Sequence, residues 1–155
     1  MSVKLRAFFL AFSVLVVDQL TKFFALRHLS ETDPLPVLGE TVRFVLRFNT
    51  AAAFSLAWGG PMFLLVFNAV ASVALAVYMI RMQSSRVVLF LGAILGGALG
   101  NTVDRVVQGK VTDFIDVGLG TLRWPVFNVA DIAIVVGGAL LLLFSGRKGS
   151  KNEQK

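Results

Sequence analysis

The chain has 155 residues, 56% of them hydrophobic and only 15% charged, with 14 phenylalanines and a formal net charge of +6. It is too apolar for an ordinary water-soluble domain and too short for several domains, which points to one small membrane domain. Cysteine is absent and His28 is the single histidine, so disulfides, thiolate metal sites and cysteine nucleophiles are excluded, and histidine cages or a Ser-His-Asp triad have little to be built from. Any chemistry falls to carboxylates, amides, Lys and Arg.

A membrane crossing takes about 20 apolar residues at ~1.5 Å rise each. Four stretches qualify, at roughly 7–26, 62–80, 87–107 and 126–144, leaving segments 27–61 and 108–125 between them on one side. Lys4 and Arg6 precede the first as they would a secretory signal, but "DQLTKFFAL" follows in place of a small-x-small cleavage site, so it reads as a retained anchor helix. After Gly39, Val42, Phe44, Leu46 and Phe48 alternate with Arg43, Val45 and Arg47, a strand signal. "NTAAAFSLAWGG", 49–60, suits a short element lying in the interface, with a plain connecting loop as the other reading. In "GAILGGALG", Gly92, Gly96 and Gly100 recur every four residues, a face for close helix packing in mid-helix and not a phosphate cradle. Residues 109–124 carry β-branched residues between glycines and are expected to join 35–48 in a small external sheet. Residues 146–155 form a charged tail expected to be disordered.

Basic residues orient the spans. Lys4, Arg6, Arg81, Arg86, Arg147, Lys148, Lys151 and Lys155 collect on one side although its loops are short. Arg27, Arg43, Arg47, Lys110 and Arg123 are spread over the longer segments of the other, so both termini are predicted cytoplasmic. Trp58 and Trp124 fall on the outer side, where an aromatic belt places them. The basic balance is explained by this bias and by anionic lipids, and no nucleic-acid partner is implied.

With this topology the polar residues fall at one depth. Asp18 and Lys22 lie in the outer half of the first span on one face, Asn101, Asp104 and Arg105 in the last turns of the third, and Asn128 and Asp131 in the first turn of the fourth, with Asp113 just beyond the third. Asp18 with Lys22 reads equally as an i,i+4 ion pair or as substrate contact. Asp104 is expected to pair with Arg105, Asn68 to hydrogen-bond between helices, Asp116 to be solvated or turn-forming, and Ser13, Thr21 and Ser72 to bond back within their helices. Asp131 and Asp113 resist such readings, since Asp131 has no cation within a turn of its own helix. Two carboxylates brought together at a water boundary cannot both ionise easily. Such a dyad can deprotonate a water, protonate an amide carbonyl and return a proton to the leaving amine. Asn101 and Asn128 are placed to orient the carboxylates or the peptide, and Arg105 to hold a backbone carbonyl or a lipid oxygen. A small transporter or a non-enzymatic membrane adaptor that binds other proteins or lipids remain the alternatives, although no inverted repeat or midplane charge favours the transporter.

Five segments, "DQLTK" (18–22), "NTAAAFS" (49–55), "GGALGNTVDR" (96–105), "VTDFIDV" (111–117) and "FNVADIAI" (127–134), resemble in order the motif set of the bacterial lipoprotein signal peptidases, or signal peptidase II. Each motif alone is weak; the five together span nearly the whole chain and are highly specific. The resemblance implies an aspartic peptidase of the inner membrane that removes signal peptides from prolipoproteins bearing a diacylglyceryl group on the cysteine that becomes the new N-terminus. It implies Asp113 and Asp131 as the catalytic pair, and Asn101, Arg105, Asn128, Asn49, Asp18 and Lys22 as polar residues lining the substrate groove. The implied fold is an α-helical membrane protein with four transmembrane helices, a small extracytoplasmic β-element and a short interfacial helix. Prolipoproteins and membrane lipids are the expected partners, a monomer the expected state, and no metal or organic cofactor is implied. Ala51 stands where the family usually has Gly.

Overall fold

The computed structural model describes residues 1–50, 60–82 and 85–145, apart from the side chains of residues 60, 61, 64, 85 and 145. Ala51, Trp58, the interior of the expected interfacial segment and the tail from Gly146 lie outside the described residues. Helices occupy all four apolar stretches: α1 (Val3–His28), α2 (Gly60–Arg81), α3 (Ser85–Gln108) and α4 (Val129–Ser145). Strands β1 (Leu35–Leu38) and β2 (Val42–Asn49) separate α1 from α2, and β3 (Val111–Leu119) and β4 (Leu122–Arg123) separate α3 from α4. By length and composition α1 and Arg86–Gln108 of α3 can cross a membrane, while the apolar runs Leu65–Arg81 and Val129–Phe144 are shorter.

The bundle is inside out relative to a water-soluble protein. Phe9, Phe12 and Phe24 of α1 are 64%, 63% and 57% exposed, while Asp18 and Lys22 of the same helix are 0% and 2% exposed. An apolar exterior around buried charge is the arrangement a lipid solvent selects. Helix α3 is the hub, packing against α1, α2 and α4. Its small residues permit this, since a Cβ at Gly92 would lie 2.5 Å from the Ala7 carbonyl oxygen and one at Gly96 2.5 Å from that of Ala11. Gly97 meets Ala130 of α4 and Gly100 meets the Asp18 carboxylate, so the glycine face extends to the polar end. Ala7, Ala11, Met79, Val88, Leu91 and Leu95 form the apolar core at the other end.

The two inter-helix segments expected to pair do form one sheet, antiparallel in the order β1-β2-β3-β4. Gly39 and Gly120 take φ of 55° in the two hairpin turns, a left-handed conformation that glycine adopts without strain. The alternation expected in β2 does not run through. Phe44 pairs with Ile115 but Arg47 with Asp113, so a bulge places an extra residue in β2 and buries both Val45 and Leu46. Bulges re-aim side chains, and this one lies next to Asp113. Backbone bonds from Phe114 and Ile115 to the Phe127 carbonyl, at 3.0 and 2.8 Å, bring the start of α4 against β3.

Asp116 is not the solvated carboxylate expected. It is 3% exposed. Arg43 of β2 grips it through Nε and Nη2 at 2.9 and 2.6 Å, and Arg123 of β4 through Nε at 2.9 Å, clamping three strands together. Burial pushes its carboxyl up, but the bonds from Arg123 and Arg43 outweigh this and hold it below the usual carboxylate range. Ser13 and Thr21 bond back to Phe9 and Val17 as expected, at 2.9 Å each. The buried Ser72 hydroxyl instead has no partner among the described residues.

Candidate active site

"FNVAD" is a helix start before it is anything else. Asn128 precedes the first residue of α4, and its side-chain oxygen accepts the Asp131 N–H at 2.9 Å while the Asp131 carboxylate accepts the Asn128 N–H at 3.2 Å. This reciprocal capping box satisfies two N–H groups that a helix leaves orphaned, with the acid at the positive end of the dipole. A third, from Ala130, donates to Asp18 of α1 at 2.9 Å. The ionisable Asp131 is therefore accommodated at the mouth of an apolar helix by local structure.

The same asparagine reaches Asp113. Its Nδ2 donates to an Asp113 oxygen at 2.7 Å, to the Asn101 side-chain oxygen at 3.1 Å and to the Thr112 carbonyl at 3.3 Å. Asn101 Nδ2 in turn donates to the other Asp131 oxygen at 2.9 Å. One residue, Asn128, thus touches both carboxylates, and Asn49 of β2 bonds to Asp113 from the sheet side. Burial and then the Asp131 charge push the Asp113 carboxyl up to about 7, against the bonds from Asn128 and Asn49 and the charge of Lys22, which pull it down.

Asp113 also lines an open cleft of ≈ 340 Å³ with Arg47, Phe48, Asn49, Thr50 and Val126. Arg105 is half-buried, and its described hydrogen bond is to the Asn101 carbonyl of its own helix at 3.3 Å, while its charge acts on Asp131, Asp113 and Asp104. Among the described residues its other N–H donors have no hydrogen-bond acceptor.

Asp18 and Lys22 lie deeper. Their ion pair measures 2.8 Å, and Lys22 also holds Asp104 at 3.2 Å and the Asn101 side-chain oxygen at 3.0 Å. Of the two readings open for this pair, the i,i+4 ion pair is the geometry present. Asp104 pairs with Lys22, where Arg105 was expected, because α3 turns Asp104 toward α1; it also accepts the Thr112 N–H at 2.8 Å. Sequence reasoning passed over Gln19, whose amide bridges Asp18, Asp104 and the Gly100 carbonyl at 3.2, 3.0 and 3.2 Å. Its adjacency to Asp18 was the available signal. Among the described residues no group of three or more His, Cys, Asp or Glu is gathered as a metal site.

Two carboxylates bridged by an amide, one of them with raised proton affinity beside an open cleft, form an arrangement suited to water activation. Comparison with known proteins decides the class. The family model described as signal peptidase (SPase) II matches residues 10–146. The chain belongs to the signal peptidase II family. The lipoprotein signal peptidase of Polynucleobacter necessarius is 42% identical over 93% of this chain and 91% of that protein, and that of Chlorobium phaeobacteroides strain BS1 36% identical over 92% and 98%. A solved structure described as a bacterial membrane enzyme, determined by the in meso method at 2.3 Å, superposes with a TM-score of 0.87 at 26% identity, covering 97% of this chain and 93% of that one. Membership in this family of aspartic membrane proteases selects the peptidase among the three readings that the residues left open.

Proposed function

We propose that this lipoprotein signal peptidase cleaves prolipoproteins immediately before the diacylglyceryl-modified cysteine, with Asp113 and Asp131 as its catalytic dyad. The observation that carries the assignment is the Asn128 bridge, which bonds to Asp113 through its side chain and to Asp131 through the capping box. At neutral pH the dyad shares one proton, held by Asp113, whose affinity is raised to about 7. Asp131, whose oxygens both accept N–H bonds, takes the proton from an attacking water. Asp113 protonates the scissile carbonyl oxygen to give a gem-diol; Asp131 then passes its proton to the leaving nitrogen as the C–N bond breaks, and a diol hydroxyl returns its proton to Asp113 as the new carboxyl forms. Asn49 and Arg105 contact the substrate, Arg105 holding a carbonyl or ester oxygen; Asn101 and Asn128 orient the carboxylates.

All four helices span the inner membrane, with both termini cytoplasmic and the sheet outside. The dyad then lies at the outer leaflet, where α3 ends, α4 begins and water has access. The acyl chains stay in lipid while the signal helix lies against the spans, so tethering in one membrane supplies orientation. The protein acts as a monomer and meets lipid on its phenylalanine-rich exterior.

Purified Asp113→Asn and Asp131→Asn should each lose at least about 1,000-fold in cleavage of a diacylglyceryl-modified precursor while remaining inserted. Near wild-type cleavage by either removes the dyad assignment. Arg105→Ala should lose roughly 10- to 100-fold with insertion intact, and loss of insertion would make Arg105 structural.

A further inference from the structure

The Asp18–Lys22–Asp104 cluster has a geometry beyond that of an ion pair that makes a buried charge tolerable. Asp18 accepts the backbone N–H of Ala130, the residue immediately before Asp131, at 2.9 Å. Asp104 accepts the backbone N–H of Thr112, the residue immediately before Asp113, at 2.8 Å. The Lys22 ammonium joins these two carboxylates, at 2.8 and 3.2 Å. Its third partner is the Asn101 side-chain oxygen at 3.0 Å. Because that oxygen faces Lys22 and the Asn128 amide, the Asn101 nitrogen must face Asp131, to which it donates at 2.9 Å.

We propose that Lys22 is a positioning residue that sets the separation of the two aspartates and the orientation of the Asn101 amide, which donates to Asp131 and accepts from the bridging Asn128. A single side chain thereby fixes three supports of the dyad: the root of α4, the root of β3 and the Asn101 amide. The ammonium has three N–H bonds and meets three acceptors, so it has none left for substrate. Arginine keeps the charge, but its planar fork does not reproduce three donors diverging from one atom. Lys22 also acts on Asp113 by charge, as do Arg105 from α3, Asp131 from α4 and the Asn49 dipole from β2. Removing the cation should therefore move the Asp113 limb of the pH profile upward.

This inference rests on the dyad reading, so Asp113→Asn and Asp131→Asn are assayed beside Lys22→Arg, Lys22→Met and the charge-balanced Lys22→Met/Asp104→Asn. The probe is a diacylglyceryl-modified precursor peptide in detergent micelles, followed from pH 5 to 9. The double variant keeps an acceptor for the Thr112 N–H and removes one charge of each sign, so it tests the idea even if Lys22→Met fails to fold. Lys22→Arg and the double variant should lose roughly 10- to 100-fold in kcat with KM within about twofold, and Lys22→Met, which removes the cation alone, should also show the upward-shifted limb. If Lys22→Arg and the double variant keep wild-type kcat while the aspartate variants are dead, the positioning role is wrong and the dyad stands. If the aspartate variants cleave, the dyad reading itself has failed.

Discussion

Asp113 and Asp116 lie on the same nine-residue strand and are each 3% exposed, yet their proton affinities move in opposite directions. Asp116 is clamped by two guanidiniums from neighbouring strands and is held below the ordinary carboxylate range. Asp113 accepts bonds from the Asn128 and Asn49 amides and faces a second carboxylate, and burial and that charge push it up to about 7 against the charge of Lys22. Both side chains are shielded from solvent, but Asp113 lies deeper in the protein and lacks the guanidiniums that outweigh burial at Asp116. One carboxylate ties a sheet together, and the other is left able to exchange a proton at neutral pH.

The contrast breaks most severely if Asp113 is given what Asp116 has. Asn49→Lys places an ammonium beside Asp113 and should lower its affinity, cutting cleavage at pH 7 by roughly 100-fold. Unchanged cleavage in that variant would show that the proton on Asp113 is not used.

A smaller effect sharpens the contrast, through stability. For Asp113 the folded value of about 7 exceeds the unfolded value of about 3.9, so the folded state binds the extra proton between them. That contribution to stability is fully present below about pH 3.9 and is lost as pH rises to about 7. For Asp116 the folded value is depressed, so its contribution is present above about pH 3.9 and is lost as pH falls below it. Thermal unfolding in detergent should therefore show Asp113→Asn gaining on wild type as pH rises from about 4 to 7. Asp116→Asn should lie below wild type at neutral pH, close the gap only in acid, and keep cleavage within about threefold. Parallel curves for the two variants would mean that their environments do not differ as described.

Much of this was legible from the residue order. The four apolar stretches are helical, and the polar residues of α1, α3 and α4 do meet, Lys22 holding Asp18, Asp104 and Asn101 while Asn101 holds Asp131. The capping box went unread, although Asn-x-x-Asp before an apolar run is a local signal. The Asp116 clamp was beyond local reading, because Arg43 meets Asp116 only through strand register and the bulge in β2 shifts that register by one residue. The Asp104–Lys22 pair was equally hidden: it depends on how α1 and α3 rotate about the glycine contacts, which sequence neighbours such as Arg105 do not reveal.

The central claim is that Asp113 holds the proton shared with Asp131, and an infrared titration of the Asp113 carboxyl band, isolated by difference against Asp113→Asn, tests it most directly. In wild type the band should titrate near 7, in step with one limb of the cleavage profile. In Asp131→Asn, where burial persists but the neighbouring charge is gone, the midpoint should fall. A wild-type midpoint near the ordinary value of about 4, or one that Asp131→Asn leaves unmoved, would contradict the account.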